Sequence, residues 1–418
     1  MNIRFQRAVD RLAGVPICAA LSLAERVRRF FAGNAPAPEP RRILIVLLSE
    51  MGSLVLASSM FAELRRRYPD ATLHMLMFAK NREVLDLQGV MPPENVITLN
   101  DKALGRFAAD SLRAIRTMRK LKPDVVIDCE LFTRVSSIFS YLSGAPVRVG
   151  FHPYTQEGLY RGSFINRPVA YNPYRHLSDQ FLTMVAAIES RTFPLAKGIT
   201  KKAPPPHVAF PEDELREVRA RLHRDFPVLA GKKLVLVYPG GGILPIRAWP
   251  AESYKQLCRD LLADGCAIGL IGLKEDKALA QEIVASCRDP HCVDLTGYTT
   301  SIRHLLAIFN HAALLVTNDG GPGQFAALTP LPTLVFFGPE TPALYSPLAP
   351  NIHCLYSALS CSPCLTAYNH RASACDGDNQ CLKQITPAYV LAQARLLLAA
   401  PAALQPAPMQ PATWKEAA

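Results

Sequence analysis

Residues 43–52 read ILIVLLSEMG, in which six consecutive apolar residues are followed by a polar loop. A short, continuous apolar run is typical of a strand that is buried on both faces of a parallel sheet. Helical periodicity then extends over 54–67 and stops before Pro69, because the residue preceding a proline disfavours the α conformation. A strand, a polar loop and a helix in this order predict the first βα unit of a doubly wound α/β domain.

The same alternation continues along most of the 418 residues, a length that suggests two or three domains. The segment 196–212 is rich in proline and lysine, as expected of a domain boundary. We therefore predict doubly wound domains at 41–205 and 206–400, and a disordered tail at 401–418. Further strands are predicted at 72–78, 95–99, 125–128, 234–238, 267–271, 313–317 and 333–337.

Composition and charge exclude several classes of protein. The apolar fraction of 49% excludes a wholly disordered chain, and no apolar stretch approaches the ~20 residues that cross a bilayer. Lysine and arginine total 46 against 35 acidic residues, so the net charge is +11 and the surface favours anionic partners such as phosphates or acidic lipids. The sequence has no zinc-finger, RNA-binding or basic-zipper motif, so we expect no nucleic-acid partner.

Residues 1–40 form a basic, amphipathic extension ahead of the first predicted domain. Arg4, Arg7 and Arg11 precede an uncharged run at 12–24, and three more arginines follow within 26–29. Two interpretations stay open: an in-plane anchor on an anionic membrane surface, or a helix packed on the protein's own surface. The end of this extension, 33–40, reads GNAPAPEP and is typical of a linker.

Two glycine-rich loops follow predicted strands of the second domain, where doubly wound sheets bind their ligands. Three glycines at 240–242 come directly after a strand, and Arg247 follows before the next helix. Glycine lets backbone N–H groups approach an anion closely, and arginine pairs with phosphate through two donors. The second loop, 318–322, reads NDGGP and lies between a strand and a helix, where unpaired N–H groups also favour an anion.

Taken together, these segments resemble glycosyltransferase family 9, the heptosyltransferases that build the inner core of lipopolysaccharide. Residues 125–128 and 148–150 also fit, and the resemblance spans about residues 41–350. The segments that carry it are 43–52, Tyr238-Pro-Gly-Gly-Gly242 with Arg247-Ala-Trp-Pro250, Leu315-Val-Thr-Asn-Asp-Gly-Gly-Pro322 and Val335-Phe-Phe-Gly-Pro339.

The resemblance implies a GT-B fold, in which two Rossmann-like domains face a cleft. It implies that the donor, an ADP-activated heptose, binds to the C-terminal domain and that a lipid-linked saccharide acceptor binds to the N-terminal domain. It also implies that transfer inverts the anomeric centre and needs no metal or other cofactor. A water-soluble donor would meet such an acceptor at the cytoplasmic face of the inner membrane, so the implied location is cytoplasmic and peripheral.

Carried over to this chain, the resemblance places donor binding in the loops of the C-terminal domain. We expect the loop at 319–321 to hold the diphosphate, with Arg247 closing on it, and an acidic residue at 275–276 to bind the ribose hydroxyls. The family often has Lys where Arg247 stands and His where Gln324 stands, and both replacements still donate hydrogen bonds. The predicted donor-binding residues are Gly241, Gly242, Arg247, Glu275, Asp276, Asn318, Asp319, Gly320, Gly321 and Gln324.

The predicted catalytic residues lie at the strand ends of the N-terminal domain. The family usually has its presumed base, an Asp, directly after the glycine of the first loop, and this chain has Ser53 there. A neutral hydroxyl cannot deprotonate a sugar hydroxyl unaided. Glu50, three residues earlier, is the first candidate for the base because its longer side chain could reach the same space, and Asp128 is the second. The alternative is a non-catalytic homologue that binds a nucleotide sugar or a lipid.

A cysteine cluster near the end of the chain has the spacing C-x2-C-x10-C-x5-C. Four thiols at this spacing predict either a structural zinc site, which would brace a loop, or free or redox-paired thiols. The four residues are Cys361, Cys364, Cys375 and Cys381.

A dinucleotide-binding pattern, G-x-G-x-x-A, matches residues 321–326 but lies late in its domain. It leaves open an NAD-dependent enzyme, which would need an acidic partner for the ribose after the next strand. Glu340 is the candidate for that partner.

Overall fold

The computed structural model describes residues 3–32, 38–48, 50–131, 133–151, 160–190, 201–366 and 372–399, without the side chains of 3–7 and 32. The chain folds as two compact units that meet in sequence between Ala203 and Pro204. The predicted tail at 401–418 and most of the predicted linker lie outside the described residues, as do the side chains of Arg4 and Arg7.

The first unit is built on a sheet of six parallel strands. Their order is β3-β2-β1-β4-β5-β6, so β1 pairs with β2 on one side and with β4 on the other. In doubly wound sheets, this reversal of strand order leaves a crevice at the carboxyl ends of the two central strands. The strands are β1 (Arg42–Val46), β2 (Thr72–Phe78), β3 (Val96–Leu99), β4 (Val125–Asp128), β5 (Val147–Phe151) and β6 (Arg167–Val169).

The second unit repeats this plan with another six-stranded parallel sheet. Its order is β9-β8-β7-β10-β11-β12, so the reversal falls between β7 and β10. The two doubly wound α/β sheets predicted from the sequence are therefore confirmed. The strands are β7 (Leu234–Tyr238), β8 (Ala267–Leu270), β9 (Cys292–Asp294), β10 (Leu314–Asn318), β11 (Thr333–Phe337) and β12 (Ile352–Tyr356).

Helices connect the strands. The helix predicted at 54–67 is two helices, separated at Ala57. The first of them begins three residues earlier than predicted, at Met51. Those of the first unit are α1 (Ile3–Ala32), α2 (Met51–Leu56), α3 (Ser58–Arg67), α4 (Arg82–Gln88), α5 (Leu104–Leu121), α6 (Val135–Leu142) and α7 (Leu177–Ala187). Those of the second are α8 (Glu212–Asp225), α9 (Ala251–Ala263), α10 (Lys277–Cys287), α11 (Ile302–Phe309), α12 (Gly321–Ala326), α13 (Pro342–Tyr345), α14 (Gln380–Lys383) and α15 (Pro387–Ala399).

The core of the second unit anchors the loop that precedes α9. Trp249 is buried there, with its ring centroid 4.7 Å from Phe336 and 4.9 Å from Tyr254. Its indole Nε1 donates to the carbonyl oxygen of Ile385 at 2.8 Å, so the polar end of the ring is also satisfied. Because the tryptophan is fixed in the core, the backbone between β7 and α9 has little freedom, and Arg247 sits two residues before this anchor.

Helix α1 is continuous and packs on the first unit, although Gly14 and Pro16 interrupt its sequence pattern. The glycine permits the contact, since a Cβ at position 14 would lie 2.9 Å from Cβ of Arg134. Asp10, one turn earlier, accepts from Nη1 of Arg134 at 2.9 Å and from its backbone N–H at 2.8 Å. Cys18, one turn later, is fully buried. One face of the helix is therefore held against α6 and the loop before it.

A buried ion pair holds the last third of α1. Glu25 accepts from Nη2 of Arg148 at 2.6 Å, and both side chains are almost fully buried. Arg28 and Arg29, within the helix, bind the same carboxylate at 2.8 and 2.9 Å. The interpretation of the extension as a helix packed on the protein's own surface is thus realised for this face. In the described part of the chain, no helix combines the length and the apolar character needed to cross a membrane.

Candidate functional site

The loop after β1 brings Glu50 and Ser53 together. Glu50 precedes α2 with an extended backbone (φ −121°, ψ 114°), and Ser53 lies in the first turn of that helix. Oγ of Ser53 donates to Oε2 of Glu50 at 2.9 Å. Ser53 is buried and Glu50 is half-buried. The Glu50 carboxylate therefore lies beside position 53, which holds an aspartate in the family that this chain resembles.

Two buried polar side chains, neither of them predicted from the sequence, fix the end of β1. Oε1 of Glu130 accepts from the N–H of Leu48 at 2.6 Å. Nδ2 of Asn81 donates to the carbonyl oxygen of Leu48 at 2.7 Å. Glu130 lies two residues beyond β4 and Asn81 three residues beyond β2, the two strands that flank β1. A polar residue just past a flanking strand was the signal that could have identified them.

Asp128, the second candidate for the base, is fully buried at the end of β4. Its Oδ2 accepts from Nη2 of Arg161 and, at 3.2 Å, from Oγ of Ser136, while Oδ1 accepts from the N–H of Glu130 at 3.1 Å. Burial raises the pKa of this carboxyl, and the Arg161 guanidinium opposes that shift. An acid enclosed by three donors has no approach for a sugar hydroxyl, so this geometry argues against Asp128 as the base.

The glycines after β7 are needed for close packing. A Cβ at Gly240 would overlap Oδ1 of Asp276, and a Cβ at Gly241 would lie 2.7 Å from Cα of Pro245. Gly242 has a φ of +59°, in the left-handed region that favours glycine. These glycines are therefore required by the packing of the loop itself. The sequence had predicted them only as a means for backbone N–H groups to approach an anion.

Arg247 and Asp319 form an ion pair at the carboxyl ends of β7 and β10. Nη1 of Arg247 lies 3.3 Å from Oδ2 of Asp319, and the two side chains are only 15% and 8% exposed. The backbone N–H of Asp319 donates to the carbonyl oxygen of Phe336 at 2.9 Å, so that N–H is already used within the sheet. The carboxylate thus orients the guanidinium, while the neighbouring Gly320 and Gly321 form the start of α12.

Asn318 was predicted to bind the donor, but its side chain is saturated by protein contacts. Nδ2 donates to the carbonyl oxygens of Pro239 at 3.1 Å and Gly240 at 2.9 Å. Oδ1 accepts from the N–H of Trp249 and from the hydroxyl of Tyr254, both at 2.9 Å. These four bonds use the full capacity of an amide. Asn318 therefore positions the glycine loop and the tryptophan relative to β10, instead of presenting its amide to a ligand.

Gln324 lies within α12 and is buried. Its Nε2 donates to the carbonyl oxygen of Tyr345 at 2.8 Å. Its Oε1 is buried and has no hydrogen-bond partner among the described residues. Leaving a buried acceptor unpaired is costly, so this oxygen is a place where a donor group of a ligand or a water would be favourable.

The two acidic residues after β8 differ in their surroundings. Glu275 is exposed, whereas Asp276 is half-buried and its Oδ2 accepts from the N–H of Leu273 at 2.8 Å. Asp276 also packs against Gly240, and together with burial its charge raises the pKa of the Tyr238 hydroxyl to about 12. Asp276 therefore braces the loops after β7 and β8, which leaves Glu275 as the acid with a side chain open to a ribose.

The four C-terminal cysteines show no metal-binding arrangement. Cys361 and Cys375 are exposed, and Cys381 is buried. Cys364 Sγ accepts from Oγ of Ser373 at 3.0 Å. Within the ranges that the structure describes, no group of three or more His, Cys, Asp or Glu residues could hold a metal ion. The structure gives the zinc prediction no support, and the prediction stays untested.

Comparison with known proteins agrees with the geometry. The model of glycosyltransferase family 9 (heptosyltransferase) matches residues 111–373. The chain is similar to lipopolysaccharide heptosyltransferase 2 of Salmonella typhimurium, with 23% identity over 367 residues that cover 85% of this chain and 98% of the relative.

Two solved structures are similar over most of the chain. The E. coli ADP-heptose lipopolysaccharide heptosyltransferase II is 20% identical with a TM-score of 0.66, covering 85% of this chain and 98% of that one. The E. coli heptosyltransferase WaaC with ADP-2-deoxy-2-fluoro heptose is 15% identical with a TM-score of 0.59, covering 85% and 99%. These likenesses confirm the GT-B fold expected from the sequence.

Proposed function

This chain belongs to glycosyltransferase family 9 and is a glycosyltransferase, and from that premise we propose that it transfers a heptose from ADP-heptose to a lipopolysaccharide core acceptor. The relative from Salmonella typhimurium supports the acceptor class, and the WaaC structure with an ADP-heptose analogue supports the donor class. Transfer inverts the anomeric centre, needs no cofactor, and takes place at the cytoplasmic face of the inner membrane, where the protein is peripheral. The dinucleotide interpretation of residues 321–326 is set aside, because this family transfers sugars.

The observation that carries the donor assignment is the Arg247–Asp319 ion pair at the ends of β7 and β10. A guanidinium has five N–H donors, and Asp319 engages it through one of them. In our proposal the remaining donors bind the diphosphate of ADP-heptose, and the backbone at 320–321 contributes further N–H groups. Glu275 binds the ribose hydroxyls. Negative charge that develops on the departing ADP is then stabilised by an arginine already held in place.

In our proposal the first unit supplies the base. The acceptor hydroxyl gives its proton to Glu50 while its oxygen attacks the anomeric carbon from the face opposite ADP. The bond between that carbon and the phosphate oxygen breaks, and ADP leaves with the electron pair. The hydrogen bond from Ser53 at 2.9 Å supports this role, because it orients the carboxylate in the ionised form that can accept a proton. Ser53 thus positions the base without replacing it.

The test is transfer by the full chain with a panel of nucleotide sugars and a detergent-dispersed core acceptor. We expect ADP release and a product heavier by one heptose with ADP-heptose, and no product with UDP- or GDP-sugars. The anomeric configuration of the product, measured by NMR, tests inversion. Binding of ADP without any transfer would instead identify the non-catalytic homologue, and transfer from another nucleotide sugar would contradict the donor assignment.

A further inference from the structure

The outward face of α1 is apolar, which is unusual for a helix packed on the surface of a protein. In the described part of the chain, 15 large hydrophobic side chains are exposed; eight of them lie on this one helix, and six of those eight lie on its outward face. Leu12 is 77% exposed, Phe30 83% and Phe31 81%. Clusters of exposed apolar side chains on this scale mark an interaction surface. The surface, here called the outer stripe, consists of Val9, Leu12, Ala13, Pro16, Ala20, Leu23, Val27, Phe30 and Phe31.

The polar residues of α1 are arranged in the opposite sense from those of an ordinary surface helix. Its two acidic residues, Asp10 and Glu25, both face the first unit and pair with arginines there. Its described arginines lie at exposed or half-exposed positions, and Arg26 and Arg28 flank the outer stripe on its two sides, with Arg28 also bound to Glu25. The surface that α1 offers is therefore apolar along its centre and positive along its edges.

We propose that the outer stripe binds an anionic phospholipid bilayer, with α1 lying in the plane of the interface. An apolar stripe with basic edges is the pattern of interfacial helices, whose apolar side chains enter the acyl boundary while arginines contact the headgroups. The outer stripe extends from Val9 to Phe31 and is therefore about 33 Å long at the helical rise of about 1.5 Å per residue. This inference rests on the proposed function in one respect: the binding would serve to hold the enzyme near a lipid-linked acceptor.

A second copy of the chain fits the outer stripe less well. Two-fold pairing would bring the same arginines of both copies together at the edges, and the helix has only Asp10 and Glu25 as acids, both committed to the inner face. Like charges at the rim of an apolar contact oppose association. An anionic bilayer, in contrast, neutralises the arginines of one copy and accepts a convex helix without a matching groove.

The inner face keeps the outer stripe in a fixed orientation. The ion pairs of Asp10 with Arg134 and of Glu25 with Arg148 stand 15 residues apart, so they hold the helix near both ends of its packed segment. At Gly14 the helix backbone packs directly against the side chain of Arg134, a contact that any side chain at this position would prevent. Bilayer binding would therefore orient the whole first unit relative to the membrane.

The experiment is vesicle co-sedimentation of the full chain without acceptor lipid. The vesicles are phosphatidylcholine alone or phosphatidylcholine with one-quarter phosphatidylglycerol. The test variant is Leu23→Ser/Phe30→Ser/Phe31→Ser. The matched control is Leu104→Ser/Leu112→Ser/Leu396→Ser, which removes three exposed leucines from other helices. Melting temperature and ADP affinity confirm that both variants are folded.

We expect the full chain and the control to bind phosphatidylglycerol vesicles. The test variant should bind the same vesicles more weakly, by a factor of at least about ten. Arg26→Gln, at one edge of the outer stripe, is expected to lower binding to anionic vesicles about fivefold, to leave binding to neutral ones unchanged, and to reduce the salt dependence. Equal vesicle binding by parent and test variant would overturn the proposal. So would self-association of the parent that the test variant abolishes, without vesicle binding by either.

Transfer to a detergent-dispersed acceptor is measured on the same variants. Retained transfer with lost vesicle binding supports the surface assignment independently of catalysis. Vesicle binding by a parent that transfers no sugar would count against the proposed function while leaving the surface assignment standing.

Discussion

The two units have the same strand order around their crevices, and each pairs an aspartate at a strand end with an arginine, but the arginine is 15% exposed in the second unit (Arg247) and only 3% exposed in the first (Arg161). At the ends of β7 and β10, Asp319 pairs with Arg247 and Asn318 joins the surrounding loops by four hydrogen bonds. At the ends of β1 and β4, Asp128 is enclosed by its partners, and the half-buried acid is Glu50. Topology thus decides where a site lies, whereas the partners of each side chain decide whether it binds an anion or accepts a proton.

Glu50→Gln should have the largest effect, because it should remove the function of the first unit and leave that of the second unchanged. It removes the proposed base but keeps an oxygen that can accept the hydrogen bond from Ser53. We expect kcat to fall by about 10²- to 10⁴-fold. The dissociation constant of ADP should stay unchanged, because the donor loops belong to the second unit. Steady-state kinetics with ADP-heptose and calorimetry with ADP measure the two effects.

Ser53→Asp is the companion to this variant. It places a carboxylate at the family's usual position, so it should be tolerated alone and should restore transfer when combined with Glu50→Gln. Undiminished transfer by Glu50→Gln would exclude Glu50 as the base. Failure of Ser53→Asp to restore transfer would show that the carboxylate must lie at position 50.

Asn318→Ala should have the next largest effect. It should lower the stability of the second unit and leave the chemical step of transfer unaffected. The change leaves two buried donors and two backbone carbonyls without their partner, so we expect a loss of about 3 kcal/mol in the free energy of unfolding. ADP affinity should also fall, because the glycine loop is no longer fixed to β10. The matched control is Asn310→Ala, which removes a single bond to the Leu306 carbonyl and should cost about 1 kcal/mol. Urea denaturation compares them, and similar losses would contradict the positioning role of Asn318.

Arg247→Ala should have a smaller effect, and chiefly on the binding of the donor. Loss of a charge-assisted hydrogen bond to the diphosphate should weaken ADP binding by about 1.5–3 kcal/mol. The control is Arg259→Ala on α9, whose guanidinium is exposed and bonds Gln256. Calorimetric titration with ADP measures both variants. Unchanged affinity in Arg247→Ala would remove the basis for placing the diphosphate beside Asp319.

The smallest expected effect is the loss of stability that follows when acid protonates Glu25 and weakens the packing of α1. Burial raises the pKa of Glu25, but hydrogen bonds from Arg28 and Arg29 and the charge of Arg148 outweigh it and lower that pKa to about 2. Because the folded-state pKa lies below the ordinary value of 4.5, the carboxylate stabilises the fold above about pH 4.5, and this contribution is lost as the pH falls towards 2.

Urea denaturation between pH 7 and pH 2.5 tests this window. The parent should lose stability faster below pH 4.5 than Glu25→Gln, so that the two curves converge. Glu212→Gln, at an exposed position on α8, is the control and should follow the parent. Parallel curves for parent and Glu25→Gln would show that Glu25 contributes no pH-dependent stability.

The sheets could be predicted from the sequence because their signal is local. Strands β2, β4, β7 and β11 have the residue bounds expected from apolar runs between turn residues. The partners of polar side chains could not be predicted, because they lie far apart along the chain. Asn318 reaches Pro239 across 79 residues, and Arg161 reaches Asp128 across 33. From strand ends alone, Asn318 was assigned to the donor and Asp128 was kept as a candidate base.

Helix α1 shows the limit of local rules in the other direction. Gly14 and Pro16 lie inside this helix, although glycine disfavours a helix interior by about 1 kcal/mol and proline by about 3 kcal/mol. Contact with Arg134 overrides that preference, and the contact is possible because position 14 has no side chain. The signal that could have shown this was the spacing of Asp10, Gly14, Cys18 and Glu25, which places polar and small residues on one face of a helix.

The ion pair that fastens α1 also has a consequence for biosynthesis. Glu25 and Arg148 are 123 residues apart, so at about 5–20 residues per second the ribosome adds Arg148 roughly 6–25 s after the carboxylate. The central strand β1 likewise waits for β4, which begins at Val125. During that interval the helix has left the ribosome with neither of its faces covered. This apolar, arginine-edged segment is thus presented to the lipid surface, or to a chaperone, before the rest of the first unit has been synthesised.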